Sequence, residues 1–349
     1  ILINGTLIAN GTPASRIRFV SATPGVSSGA TMLKFKNANL SNSQLSYVDF
    51  EYGQYGIRIG QETEHQQGEK NTGQLTISDA RFNNAGVFTD GYSTSASLLI
   101  VNADINGSEI KGAYPRSEPI EIRNSTITSS TIFSDSYNKG ITLRNCLVFD
   151  GDAKIGCCGA NLNVYDSTVA DSIIHRTNDN YSLDINGSRL INTPIDLPDA
   201  SSITIANSTI QYQQVIRPAQ WGSGTQTYTY GLNIKNGTLT NTSITGDGNG
   251  TAVVMNYGRL TLQGCTLSQA GIGVQIGSNA DLNGTFINDN NFIGISGYIV
   301  NNQSNRAIDA KANYWGTSNA ALIPSKIYDY NDDLNKGAVD YSAHQASLH

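Results

Sequence analysis

One short phrase recurs along this chain: apolar, any, apolar, any, Asn/Asp/Gly, small, small, apolar. Ile120-Glu121-Ile122-Arg123-Asn124-Ser125-Thr126-Ile127 and Ile203-Thr204-Ile205-Ala206-Asn207-Ser208-Thr209-Ile210 are full instances. The phrase can also be laid on Ile1, Leu33, Leu75, Leu98, Ile141, Leu162, Leu183, Leu232 and Leu260, and more loosely on Phe286 and Ile308. Successive starts from Leu98 to Ile203 differ by 22, 21, 21, 21 and 20 residues. Steps of 29 and 28, from Ile203 through Leu232 to Leu260, mark swollen turns. The 42 residues from Leu33 to Leu75 read as two periods with one degenerate coil between.

The two leading apolar residues alternate with polar ones, the period-2 signature of a short strand with one buried face. The fifth position holds Asn37, Asp79, Asn102, Asn124, Asn145, Asp166, Gly187, Asn207, Asn236 and Gly264, residue types that tolerate a left-handed backbone. A tight bend therefore follows each strand. After it an apolar residue such as Ile105, Ile127, Val148, Val169, Leu190, Ile210 or Leu239 turns inward. A unit of this length cannot close its own core and must stack on its neighbours. The expected fold is all-β: a single-stranded, right-handed parallel β-helix, a solenoid of about thirteen coils at a rise of about 4.8 Å per coil. Ile122, Leu143, Val164, Ile185 and Ile205 should form one internal column, and the Asn/Asp series an external one. Residues 1–312 read as coils, and 313–349 as the closing segment of the same domain.

Composition agrees with a filled core: hydrophobic residues are 38% and charged residues 14%. A net charge of −6 without any Lys/Arg run argues against a surface that tracks phosphates, so no nucleic-acid partner is expected. No apolar stretch reaches the length of a membrane span. Cys146, Cys157, Cys158 and Cys265 show no zinc-ligand spacing with the four histidines, and they do not fix the compartment. Few lysines and many Asn-x-Ser/Thr triplets suit an extracellular or cell-surface protein, although the repeat itself generates such triplets.

The phrase, its Asn bend and the ending Asn313-Tyr314-Trp315-Gly316, followed by Ile327, Asp329, Asp332, Gly337, Val339 and Tyr341, resemble the bacterial and archaeal right-handed β-helix repeat proteins of the pectate-lyase-like superfamily. The resemblance covers essentially the whole chain and implies the fold. It leaves function open, because that superfamily holds lyases, hydrolases, epimerases, phage tailspikes, adhesins and surface-layer proteins.

Polygalacturonase-like members carry Asn-Thr-Asp, Asp-Asp, His-Gly and Arg-Ile-Lys motifs on neighbouring coils, an arrangement this chain lacks. A lyase-like calcium cluster is equally missing from the sequence. The best remaining catalytic constellation is the outward strand face with Glu121, Arg123, Arg144, Asn163, Tyr165 and Asp184, with His175 and Arg176 further round. A basic side chain with a tyrosine acid there could serve β-elimination. The alternative is a solvated face of paired charges. Trp221, Tyr212, Tyr228 and Tyr230 are ligand-binding candidates, since rings on an expanded loop can stack on sugars, or else simply cover the wall beneath. Tyr47, Phe50, Tyr52 and Tyr55 read as core or edge packing.

No cofactor is expected. Structural calcium could occupy Asp150-Gly151-Asp152, Gly246-Asp247-Gly248-Asn249 or the Asp329–Asp333 stretch, each of which reads better as a turn. Trp315 should plug the last coil. The first strand, Ile1-Leu2-Ile3, has no cap before it in this sequence, and an open strand edge invites pairing. The leading expectation is an extracellular structural or adhesive protein that contacts a glycan or cell-surface polymer, or copies of itself in a filament or layer. The other is a polysaccharide lyase, epimerase or related enzyme.

Overall fold

A computed structural model describes all residues except 23–30, 61–69, 91–94, 114–118, 135–139, 156–159, 177–180, 201, 219–224 and 282. The fold is a parallel β-solenoid of about 11 turns. The chain packs as two compact units, residues 1–172 with 176–182, and residues 173–175 with 183–349.

In the first unit a coil contributes three strands. The coil from Ile120 has Ile120–Arg123 on one wall, Thr126–Thr128 on a second and Thr131–Ser134 on a third. Each strand pairs in parallel with its equivalent one coil away. On the first wall Ile100, Ile122, Leu143 and Val164 lie in one register; on the second, Ile105, Ile127, Val148 and Val169. All eight are at most 3% exposed, so every regular coil inserts the same aliphatic pair into the core. Burying each such side chain contributes about 1.5–3 kcal/mol. Rings stack the same way, with Phe19, Phe50 and Phe82 at centroid separations of 5.1 and 4.9 Å.

The second unit repeats the scheme. Ile203–Ala206 pairs with Gly237–Thr240, then with Leu260–Gln263, and Ile205, Leu239, Leu262 and Ile287 form the buried column. Ile185, in the same phase, is also buried. Trp315 is 1% exposed and packs on Phe292 at 5.6 Å and Tyr341 at 6.3 Å, as a plug should.

Nine of the ten expected bend residues have φ between 50° and 64°; the exception is Asn236. The phrase on Leu232 sits on the wrong wall. Leu232 and Ile234 pair with Ile195 and Leu197 on the third wall, the first-wall strand begins at Gly237, and the left-handed bend falls on Asn241 at φ 49°. Leu239, expected after the bend, precedes it. The cause is steric: a Cβ on Gly237 would meet Ile234 Cδ1 at 2.5 Å, so Ile234 fills the slot that an aliphatic residue at 237 would take.

The phrases on Ile1 and Leu33 are displaced likewise, because Ile3 pairs with Phe35, and Leu33 pairs with Ile57, which pairs with Val87 on the third wall. First-wall partners in this region are Ala9, Leu45 and Ile77, giving steps of 36 (45 − 9) and 32 (77 − 45) residues. Two long coils replace the three shorter ones expected here.

Candidate functional site

The bend that follows the first wall builds an extended concave feature in the first unit. Its outer rail is Asp79, Asn102, Asn124, Asn145 and Asp166, all at φ 50–56°. Left-handed backbone at each of these points the side chain outward along the stack. Asn145 Nδ2 donates to Asn124 Oδ1 at 2.9 Å and Asn102 Nδ2 to Asp79 Oδ1 at 3.5 Å. The floor is made of the small buried residues Ala80, Ala103, Ser125 and Cys146. Ser125 Oγ donates to the Arg123 carbonyl at 2.7 Å and accepts from Ala103 N at 3.0 Å, satisfying groups that the tight turn would otherwise bury unpaired. The inner rail is Arg81, Asp104, Thr126, Leu147 and Thr168, aligned by register.

Between these rails lie two contiguous hollows, of about 370 and 340 Å³, that share Asn124 and Thr126. One end is closed by Arg16. Its Nε donates to Asp49 Oδ1 at 2.6 Å, its Nη2 donates to the Asp79 carbonyl at 2.6 Å, and its guanidinium lies 5.8 Å from the Tyr47 ring centroid. The groove therefore offers amides, hydroxyls and charges of both signs at the coil repeat. That composition suits hydrogen bonding to a polar polymer.

The face singled out from the sequence is present but differs in character. Glu121, Arg123, Arg144 and Tyr165 do meet: Glu121 receives Arg123 at 2.8 Å and Arg144 at 3.0 Å, and the Arg144 guanidinium lies 4.4 Å from the Tyr165 ring. Asn163 instead donates to Thr142 Oγ1 at 3.1 Å. Asp184 belongs to the second unit, half-buried on Tyr181–Asn186. The hydrogen bond from Arg123 is the main cause that holds the Glu121 carboxyl below its usual range, and Glu121 in turn raises Arg123. Both shifts move away from neutrality, opposite to what an acid–base pair requires.

The aromatic candidates are largely wall. Tyr212 is 4% exposed and Tyr228 fully buried, so neither presents a face to a ligand. This corrects their placing on a projecting loop: a hairpin, Val215–Pro218 with Thr225–Tyr228, carries Tyr228 back to the core. Tyr230 is half-buried and edge-on to Tyr228 at 5.9 Å. Trp221, Cys157 and Cys158 lie outside the described residues, as do the side chains of Arg176 and Arg217.

The sequence reading missed Asp196, which is 7% exposed and pairs in register with His175 on one side and Asn233 on the other. Asn233 Nδ2 donates to Asp196 Oδ1 at 2.8 Å. Burial first, and Asp196 next, raise the Tyr230 hydroxyl, which keeps its proton and donates. An acid between two apolar residues, Ile195-Asp196-Leu197, was the available signal. Beside the Tyr212 hydroxyl, Asp247 and Asn249 border a cavity of about 10 Å³, room for about one water.

The calcium candidates make turn contacts. Asp150 takes left-handed backbone, Asp247 Oδ1 accepts from Asn249 N, and the buried Asp329 carboxylate accepts from Asn331 N, Asn331 Nδ2 and Val339 N. Among the described residues no three His, Cys, Asp or Glu side chains are grouped to hold a metal.

No family model matches the chain, and no curated protein matches it. Solved structures do. Tailspike protein 3 of bacteriophage CBA120 is 11% identical with a TM-score of 0.47, covering 99% of this chain and 54% of that one, so the chain spans about half the tailspike's length. A PL6 family alginate lyase is 8% identical at a TM-score of 0.29, covering 90% and 80%. The A-module of an Azotobacter vinelandii mannuronan C-5 epimerase is 11% identical at 0.25, covering 99% and 91%. At these scores the likenesses carry nothing about what this chain binds.

Proposed function

We propose that this protein is an extracellular structural or adhesive β-helix that contacts glycans along the groove between the Asn/Asp rail and the Arg81–Thr168 file. The observation that carries the reading is the groove itself: its outer rail repeats an Asn or Asp at every coil, and its inner rail is polar except at Leu147. An extended sugar chain presents hydroxyls at regular intervals and suits such a repeat, whereas a compact ligand would use one hollow.

Titration of the purified protein with a panel of neutral and acidic polysaccharides, with concurrent assay for unsaturated products, tests this. Saturable binding that Arg81→Ala with Thr126→Ala weakens, and no product, is expected. Product accumulation would establish the lyase reading, and a panel without any binder would remove the glycan reading.

A further inference from the structure

Asparagine followed by glycine occurs seven times in the chain. Such a pair can react with itself. Glycine has no Cβ to shield its backbone nitrogen, so that nitrogen can reach the asparagine Cγ and close a five-membered imide. A nitrogen held in a hydrogen bond must first be released. In four of the pairs the glycine N–H is a rung between coils: Gly11 donates to the Ser46 carbonyl at 2.9 Å, Gly107 to Thr128 at 3.1 Å, Gly187 to Ala206 at 3.2 Å and Gly237 to Arg259 at 2.9 Å. Three asparagine side chains of this group are held as well, since Asn10 Oδ1 accepts from Ser46 Oγ, Asn186 Oδ1 from Asn207 Nδ2 and Asn236 Oδ1 from Arg259 N.

In the other three, Asn4-Gly5, Asn249-Gly250 and Asn283-Gly284, the glycine N–H has no hydrogen-bond partner among the described residues. Exposure does not separate the groups, because Asn10, Asn106 and Asn186 are exposed just as Asn4, Asn249 and Asn283 are. The ladder separates them. Its reach shows best in the turn between Ser243–Thr245 and Thr251–Gly258. There Gly248 N donates to the Gln269 carbonyl at 2.7 Å, whereas Gly250 enters the ladder only through its carbonyl, which accepts from Ile272 N at 2.9 Å. Gly250 is also required: its φ is 65°, and a Cβ would stand 2.1 Å from the Thr229 carbonyl oxygen. The turn thus demands a glycine after Asn249 and leaves its nitrogen unprotected.

We infer that Asn4, Asn249 and Asn283 are sites of spontaneous deamidation, and that the solenoid ladder protects the other four pairs. The glycine nitrogen bonds to Cγ, the Cγ–Nδ2 bond breaks, and Nδ2 leaves as ammonia with the proton that the glycine nitrogen gave up. Water then opens the imide. Cleavage at Cγ yields aspartate, and cleavage at the former backbone carbonyl yields isoaspartate; water is the one co-reactant and nothing is oxidised or reduced. At position 249 either product adds a carboxylate two residues from Asp247, beside the buried Tyr212 hydroxyl, which has no hydrogen-bond partner among the described residues. Isoaspartate also lengthens the backbone by one carbon next to the rung from Ile272 to Gly250. The change is confined to turns and leaves walls and bends alone. It is independent of the groove proposed above.

The test follows each Asn-Gly pair of the full chain by peptide mapping, at body temperature and mildly alkaline pH, in the folded state and in denaturant. The readouts are the mass gain of amide-to-acid conversion and the ammonia released. In the folded chain Asn4, Asn249 and Asn283 should convert at least about tenfold faster than Asn10, Asn106, Asn186 and Asn236, whose coils must open first. In denaturant all the pairs should converge to within severalfold. Asn249→Gln should remove the product at that turn and leave the other rates unchanged. Equal rates for the two groups in the folded chain, a laddered pair converting ahead of the other three, or an Asn249 that stays intact while folded would overturn the assignment.

Discussion

The regular coils of the first unit and the swollen coil before Gly237 obey one rule with different bookkeeping. From Leu98 to Val164 each first-wall position is an aliphatic residue, and sequence spacing equals structural spacing. Between Ile203 and Gly237 the chain takes 34 residues (237 − 203), the strand opens on glycine, and Ile234 from the preceding third-wall strand occupies the vacated volume. What is held constant is therefore the filling of each slot in the core, while the residue that fills it can come from another wall.

The largest expected effect probes the regular side. Leu143 is 2% exposed, so Leu143→Asp buries an unpaired charge and should cost about 3–5 kcal/mol or prevent folding. An unchanged melting temperature would contradict the burial. Next, Gly237→Leu should overpack the swollen coil by about 1–3 kcal/mol, and Ile234→Ala should recover much of that loss. Denaturant melts of the two single variants and the pair give the coupling; additive effects would mean that the two side chains do not compete for one slot.

A smaller effect compares the bends. Asn124→Val and Asn241→Val should each cost about 1–2 kcal/mol, since a β-branched residue resists left-handed backbone. The glycine variants should lie within a few tenths of wild type. A harmless Asn241→Val would return the bend of the swollen coil to another residue.

The smallest concerns charge. Glu121 is held below its ordinary value of 4.5, chiefly by the hydrogen bond from Arg123, so it stabilises the folded state at pH above that value and the contribution fades as pH falls through the depressed one. Because the pair is solvated, Glu121→Gln should lower stability at neutral pH by at most about 0.5 kcal/mol, less in high salt, and not at all in acid. Melts across pH would show the two curves converging at the acid end.

The fold was legible because a period of 21 residues held for five steps leaves little choice of architecture. The inner column and nine of ten bends followed from it. Register failed at Ile1, Leu33 and Leu232, where third-wall strands happen to carry the same apolar alternation as first-wall ones, and slipped by one residue at Phe286, which pairs with Thr261. The sites were less legible for a related reason. The phrase puts a small residue after each bend, as at Ala80, Ala103 and Ser125, but a groove arises only when consecutive bends stack, and that depends on coil-to-coil pairing.

The inward bend column has one more consequence. Four of its members, Ser125, Ser167, Ser188 and Ser208, are serines whose hydroxyl closes the turn, and Cys146 and Cys265 take that same place, one in each unit, donating to the carbonyls of Arg144 and Gln263. Burial raises both thiols, Cys265 to about 11, so neither reacts while its coil is closed. Each sulfur is then a clock. Alkylation followed by peptide mapping times how often the coil around Cys146 opens, and independently the coil around Cys265, so the wild-type chain carries its own means of measuring the lifetime of each half.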